Sequence, residues 1–123
     1  MEQISVFDVV PVPKPRMTRS DSWKKRPCVQ RYWAFKDEIL YRANLINFKL
    51  KNNMGYAFYL PMPKSWSKKV KAEKLNQLHD QKPDLDNLLK ALWDCFGEDK
   101  EISSIAYTRK YWGDKGKIII ETI

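Results

Sequence analysis

Six of the chain's fifteen acidic residues fall within residues 84–101: Asp84, Asp86, Asp94, Glu98, Asp99 and Glu101, opposed there by Lys90 and Lys100. The rest of the sequence is basic, with 23 Lys+Arg in all and a formal net charge of +8. An acid island in a basic chain gains nothing from a polyanion unless a divalent cation stands between them. Its donors would be carboxylate oxygens. The lone His79 and the two cysteines, Cys28 and Cys95, make no zinc pattern, and His79 reads as a surface or loop residue. Oxygen donors of this kind favour Mg²⁺ or Mn²⁺. Phosphodiester hydrolysis needs a polarised phosphoryl oxygen, an activated water and a stabilised leaving oxygen, and carboxylate-bound metal can supply all three. The plainer reading is an exposed acidic helix end and loop, paired with basic neighbours.

The acids can act together only if the backbone brings them together. Residues 84–96 form the strongest helical pattern in the sequence, with Leu85, Leu88, Leu89, Leu92, Trp93 and Phe96 on one broad face and Gly97 placed to end it. Asp86, Lys90 and Asp94 follow at steps of four, so they share the polar face. Asp84 would lie about 200° from Asp86 on a regular helix. It can join Asp86 only from an extended segment before the helix, which Pro83 favours. Asp84 is also a good N-cap. The loop GEDKE, residues 97–101, returns the chain close to the helix end and can carry Asp99 back toward the other acids. Lys90 can hold a phosphate or stabilise developing negative charge; its plainer role is an intrahelical pair with Asp86 or Asp94.

The other elements follow from periodicity and breakers. Residues 3–10 read as a first strand, and 11–27, with prolines at 11, 13, 15 and 27, as a flexible basic loop that cannot be a regular helix. Residues 29–46 place Tyr32 or Trp33, the Lys36 stem, Ile39, Leu40, Ala43 and Ile46 on one helical face. Residues 54–63 read as a strand stopped by Pro61 and Pro63, and 65–78 as a short basic helix opening at Ser65. Residues 102–112 and 117–123 are two strands, with GDKG turning between them. The order β-α-β-α-α-β-β describes an α+β domain over residues 1–123, with a small mixed or antiparallel sheet and helices packed on it.

The positive charge is concentrated. Residues 11–36 hold eight Lys/Arg against Asp21, and residues 64–74 hold five Lys against Glu73. Trp23, Trp33 and Trp66 are interleaved with them. Cations that displace counterions and rings that stack on bases suit a nucleic-acid surface; a solvated basic face is the plainer account. With 13% aromatic residues the composition is not that of a disordered chain. No apolar run is long enough to span a bilayer, and MEQISVFDVV lacks the basic start of a signal peptide, so a cytoplasmic protein is expected.

KPDLDNLLKALWD, residues 82–94, followed by EDKEI, residues 98–102, resembles the RusA family of Holliday junction resolvases of bacteria and their phages. The family pattern is Asp-x-Asp-Asn, a Lys four residues after the second Asp, and a further Asp in an acidic loop. Asp84, Asp86, Asn87, Lys90 and Asp99 match it here. More loosely, the resemblance reaches PVPKPR, residues 11–16, and the strands around Arg109, Lys110 and KIIIETI, and so covers most of the chain. The CFG stretch before Glu98 is shorter than the family's, which leaves Glu98 in competition with Asp99 and Asp94 as a support residue or peripheral ligand.

The resemblance implies a homodimer, encoded by a bacterium, phage or prophage, that makes paired nicks across four-way DNA in recombination and repair. Asp84, Asp86 and Asp99 would bind Mg²⁺, with Mn²⁺ as a substitute, and Lys90 would complete the catalytic set. Lys14, Arg16, Arg19, Lys24, Lys25, Arg26, Lys68 and Lys69 would grip the DNA arms. Two other readings compete. Pro83-Asp84 with Glu98-Asp99-Lys100 fits the PD…ExK pattern of restriction-type nucleases, but leaves Asp86, Asn87 and Lys90 without roles. A non-catalytic basic nucleic-acid-binding protein would have no use for the acids.

Overall fold

The computed structural model describes residues 3–16, 26–97 and 102–123. Along the chain run β1 (Gln3–Phe7), α1 (Pro27–Leu45), β2 (Met54–Pro61), α2 (Lys68–Lys74), α3 (Leu85–Cys95), β3 (Ile105–Gly113) and β4 (Lys117–Thr122). The architecture is α+β, and the element order is the one expected from periodicity.

The four strands lie in the order β1-β4-β2-β3, with β1–β4 and β4–β2 antiparallel and β2–β3 parallel. The sheet is therefore mixed. Although GDKG does connect β3 to β4, those strands are not neighbours, because β2 lies between them. MGYAFYL explains this: its residues are nearly all buried on both faces, as a central strand requires, so β2 takes the interior position.

One face of the sheet presents Phe7, Tyr56, Phe58, Leu60, Ile118 and Ile120 to the helices, while Ile4 and Val6 alternate outward. From α1, Val29, Tyr32, Phe35, Ile39 and Ala43 are buried. The expected face was right for Tyr32, Ile39 and Ala43. Trp33, Leu40 and Ile46 are exposed instead, and Phe35 takes the inward position. From α3, Leu88, Ala91, Leu92 and Cys95 are buried, with Leu85, Leu89, Trp93 and Phe96 at the rim. Burial pushes the Cys95 thiol up to about 12, so it serves as a packing group.

Three helix ends depart from expectation. α1 begins at Pro27, inside the stretch read as a loop, because proline is tolerated at the first helical position, where its missing N–H is not needed. α2 opens at Ser67 rather than Ser65, since the Ser67 hydroxyl accepts from the Val70 N–H at 3.2 Å, and it ends at Lys74 rather than running to residue 78. Beyond it the chain runs along β3. Asn76 N–H donates to the Trp112 carbonyl, Trp112 N–H to Gln77, and His79 N–H to Lys110, at 2.8–3.0 Å.

No helix among the described residues is long and apolar enough to cross a membrane.

Candidate active site

Asp84 and Asp86 lie where the segment along β3 turns into α3. Asp84 is the N-cap of α3, with φ −66° and ψ 143°. It is extended, as the geometry of the two carboxylates demands. Its carbonyl takes the Leu88 N–H at 3.2 Å and closes the first helical turn. Its side chain caps no backbone N–H, so the exposed carboxylate has not been spent on the helix end.

Asp86 sits in the first turn of α3, where the helix dipole favours negative charge. The Lys90 Nζ lies 3.6 Å from its carboxylate, with the two side chains 65% and 70% exposed. An ion pair so open to water contributes only a few tenths of a kcal/mol. The plainer role of Lys90 is thus real, yet too weak to withhold either side chain from a ligand.

Asp94 behaves differently. Eight residues beyond Asp86 it has drifted about 80° around the helix, and it faces α1. It accepts the Tyr32 hydroxyl and pairs with Lys36 at 3.3 Å and Lys14 at 3.7 Å. The Tyr32 hydrogen bond holds the Asp94 carboxyl below the usual carboxylate range, helped by Lys36 and Lys14 and opposed by partial burial. Burial, then the Asp94 bond, drives the Tyr32 phenol well above its ordinary value. Asp94 therefore joins α3 to α1 and does not share a site with Asp86 and Lys90.

The Pro-rich segment before α1 completes one wall. Lys14 N–H donates to the Asn87 carbonyl at 3.4 Å. Pro13, Lys14, Lys82, Pro83, Asp84 and Asn87 line an open groove of about 450 Å³. An acid expected to bind metal and a base expected to bind DNA thus share one groove. Arg26 donates to the Arg16 carbonyl at 2.8 Å, and both line a second hollow beside Pro13 with Arg31. Lys68 and Lys69 open α2, exposed, on another element. Arg19, Lys24, Lys25, Glu98 and Asp99 lie outside the described residues.

Among the described residues no group of three His, Cys, Asp or Glu could hold a metal ion. Asp84 and Asp86 nonetheless fit a hard divalent cation in kind: both are exposed oxygen donors, and neither is held by a strong partner.

Two residues of this region have contacts that the sequence does not assign them. Lys110 of β3 donates its Nζ to the Gln81 carbonyl and, at 2.8 Å, to the Pro83 carbonyl. A signal existed: strand alternation places Lys110 on the helix-ward face, between Thr108 and Trp112. His79 is in a loop, as read, but it is buried rather than on the surface. Its ring packs against Trp112 at a tilt of 34°, with centroids 3.8 Å apart, and its Nδ1 accepts the Gln81 N–H at 3.3 Å. Burial, reinforced by nearby Lys110, lowers its pKa from the ordinary value.

No curated protein matches the sequence. A family model described as endodeoxyribonuclease RusA matches residues 7–122, nearly the whole chain, including the groove, α3 and the β3 lysine. The chain accordingly belongs to the RusA endodeoxyribonuclease family of Holliday junction resolvases.

Proposed function

We propose that this enzyme resolves Holliday junctions by Mg²⁺-dependent paired nicking of four-way DNA, acting in recombination and repair. The observation that carries the reading is Asp84, an N-cap whose carboxylate is exposed and uncommitted in a groove shared with Lys14. Asp84 and Asp86 would hold the ion, with Asp99 as the third carboxylate. Mg²⁺, which Mn²⁺ can replace, supplies when bound the polarisation of the phosphoryl oxygen and the acidity of the attacking water.

The chain's own residues do the rest. Lys90, loosely paired with Asp86, places a positive charge beside the scissile phosphate, where negative charge develops during cleavage. Lys14, Arg16 and Arg26 border the groove and its neighbouring hollow and take the DNA backbone, and Lys68 and Lys69 extend the grip with Arg19, Lys24 and Lys25. Asp94 keeps α3 seated on α1 and takes no part in catalysis. A four-way junction has two equivalent strands to cut, so a two-fold dimer with one site per subunit matches the symmetry of the substrate.

The test is a synthetic four-way junction with Mg²⁺. Two symmetrically placed nicks are expected, and Lys90→Ala should slow single-turnover cleavage by about 10²-fold, as loss of one charge-stabilising donor does elsewhere. Equal cleavage of linear duplex, or nicking of one strand alone, would count against the reading.

A further inference from the structure

We propose that Lys110 is a positioning residue that fixes the Asp84 carboxylate through the backbone before it. The inference rests on the reading of Asp84 as part of the catalytic site. Lys110 holds residues 79–83 at three points. Its carbonyl accepts the His79 N–H at 3.0 Å, and its Nζ donates to the carbonyls of Gln81 and Pro83, the latter at 2.8 Å. Pro83 is bonded directly to Asp84, so the last of these points is one peptide unit from the N-cap. The Asp84 side chain makes no cap hydrogen bond, and its own carbonyl is taken by the helix.

The arrangement divides the work between two elements. α3 is seated on the core by Leu88 and Leu92, while the direction from which the chain enters it is set by β3 through one lysine. A lysine suits this task because its ammonium can donate to two carbonyls at once. The cation is spent on backbone carbonyls. It therefore acts on the site by geometry, where a displacement of about 1 Å can cost 10²-fold in rate.

The experiment compares wild type with Lys110→Met, Lys110→Arg and Asp84→Asn in three measurements: single-turnover cleavage of a four-way junction, junction affinity, and Mn²⁺ binding without DNA followed by electron paramagnetic resonance. Lys110→Met keeps the stem and removes the donors. It should slow cleavage about 10- to 100-fold while junction affinity stays within about threefold, and Lys110→Arg should recover part of the rate. Mn²⁺ gives the sharpest contrast. Lost positioning weakens its binding, whereas simple removal of a nearby positive charge would tighten it.

Tighter Mn²⁺ binding, or unchanged cleavage by Lys110→Met while Asp84→Asn is inactive, would overturn the proposal alone. A fall in junction affinity with a salt slope shallower by about one would overturn it too, by making Lys110 a phosphate contact. Full cleavage by Asp84→Asn would instead remove the reading beneath it. If Lys110→Met fails to fold, Lys110→Gln, whose amide nitrogen stops one bond short of the ammonium and cannot hold both carbonyls as it does, takes its place: a reduced rate supports the proposal and a wild-type rate refutes it.

Discussion

Asp94 accepts the Tyr32 hydroxyl and faces the ammonium groups of Lys36 and Lys14, whereas Asp84 caps nothing and opens onto a groove. The same side chain has been given structural work at one position and left available at the other. Because the folded Asp94 pKa is depressed, its contribution to stability is complete above its unfolded value and is lost as pH falls through the folded one. Asp94→Asn should cost about 1–2 kcal/mol near neutral pH, and the gap from wild type should close below about pH 4. Urea titrations across that range check both. His79 supplies a second, separate window. Its folded pKa is also lowered, so stability present above the unfolded value of about 6.5 declines as pH falls from there toward the folded value. His79→Phe, which keeps a ring against Trp112, should flatten the urea midpoint between about pH 7 and 5. From sequence, the spacing of Asp84 and Asp86 and the need for an extended Asp84 were legible, since Pro83 and helical geometry are local. The partners of Asp94 and the burial of His79 were not, because Tyr32, Lys36 and Trp112 lie on elements distant in sequence.

At the scale of elements, α3 holds the site by its buried face and by its two ends. Leu92 is fully buried in the core, and Leu92→Ala should cost about 2–5 kcal/mol. Gly97 ends the helix at φ +82°, and a Cβ there would meet open space. Gly97→Ala should therefore show backbone strain alone, about 1–2 kcal/mol, without a packing loss. Equal costs at the two positions in urea denaturation would contradict this division. The elements themselves were legible, because periodicity and breakers act over a few residues: α3, its glycine stop and the seven-element order all follow from them. The pairing of strands does not. GDKG looks like a connection between neighbours, and nothing near it reveals that the doubly buried β2 lies between β3 and β4. Residues 76–78 carry the end of the expected basic helix, yet with His79 they bond to β3 because Trp112 and Lys110 offer them a strand edge.

For the whole molecule, the net charge of +8 is the difference between a basic surface and an acidic site. Lys14, beside Asp84 in one groove, marks where the two meet. Junction binding should weaken steeply with salt, since it rests on lysine and arginine contacts to phosphate. Removing the carboxylates should not weaken it, because each one repels the DNA backbone. The central claim is that Asp84 and Asp86 cut and the basic surface holds, and the most direct test measures both on one substrate. Asp84→Asn and Asp86→Asn are compared with wild type for affinity and for single-turnover cleavage of a four-way junction in Mg²⁺. Affinity should equal or exceed that of wild type, with cleavage reduced at least about 10²-fold. Cleavage near the wild-type rate by either variant would contradict the claim.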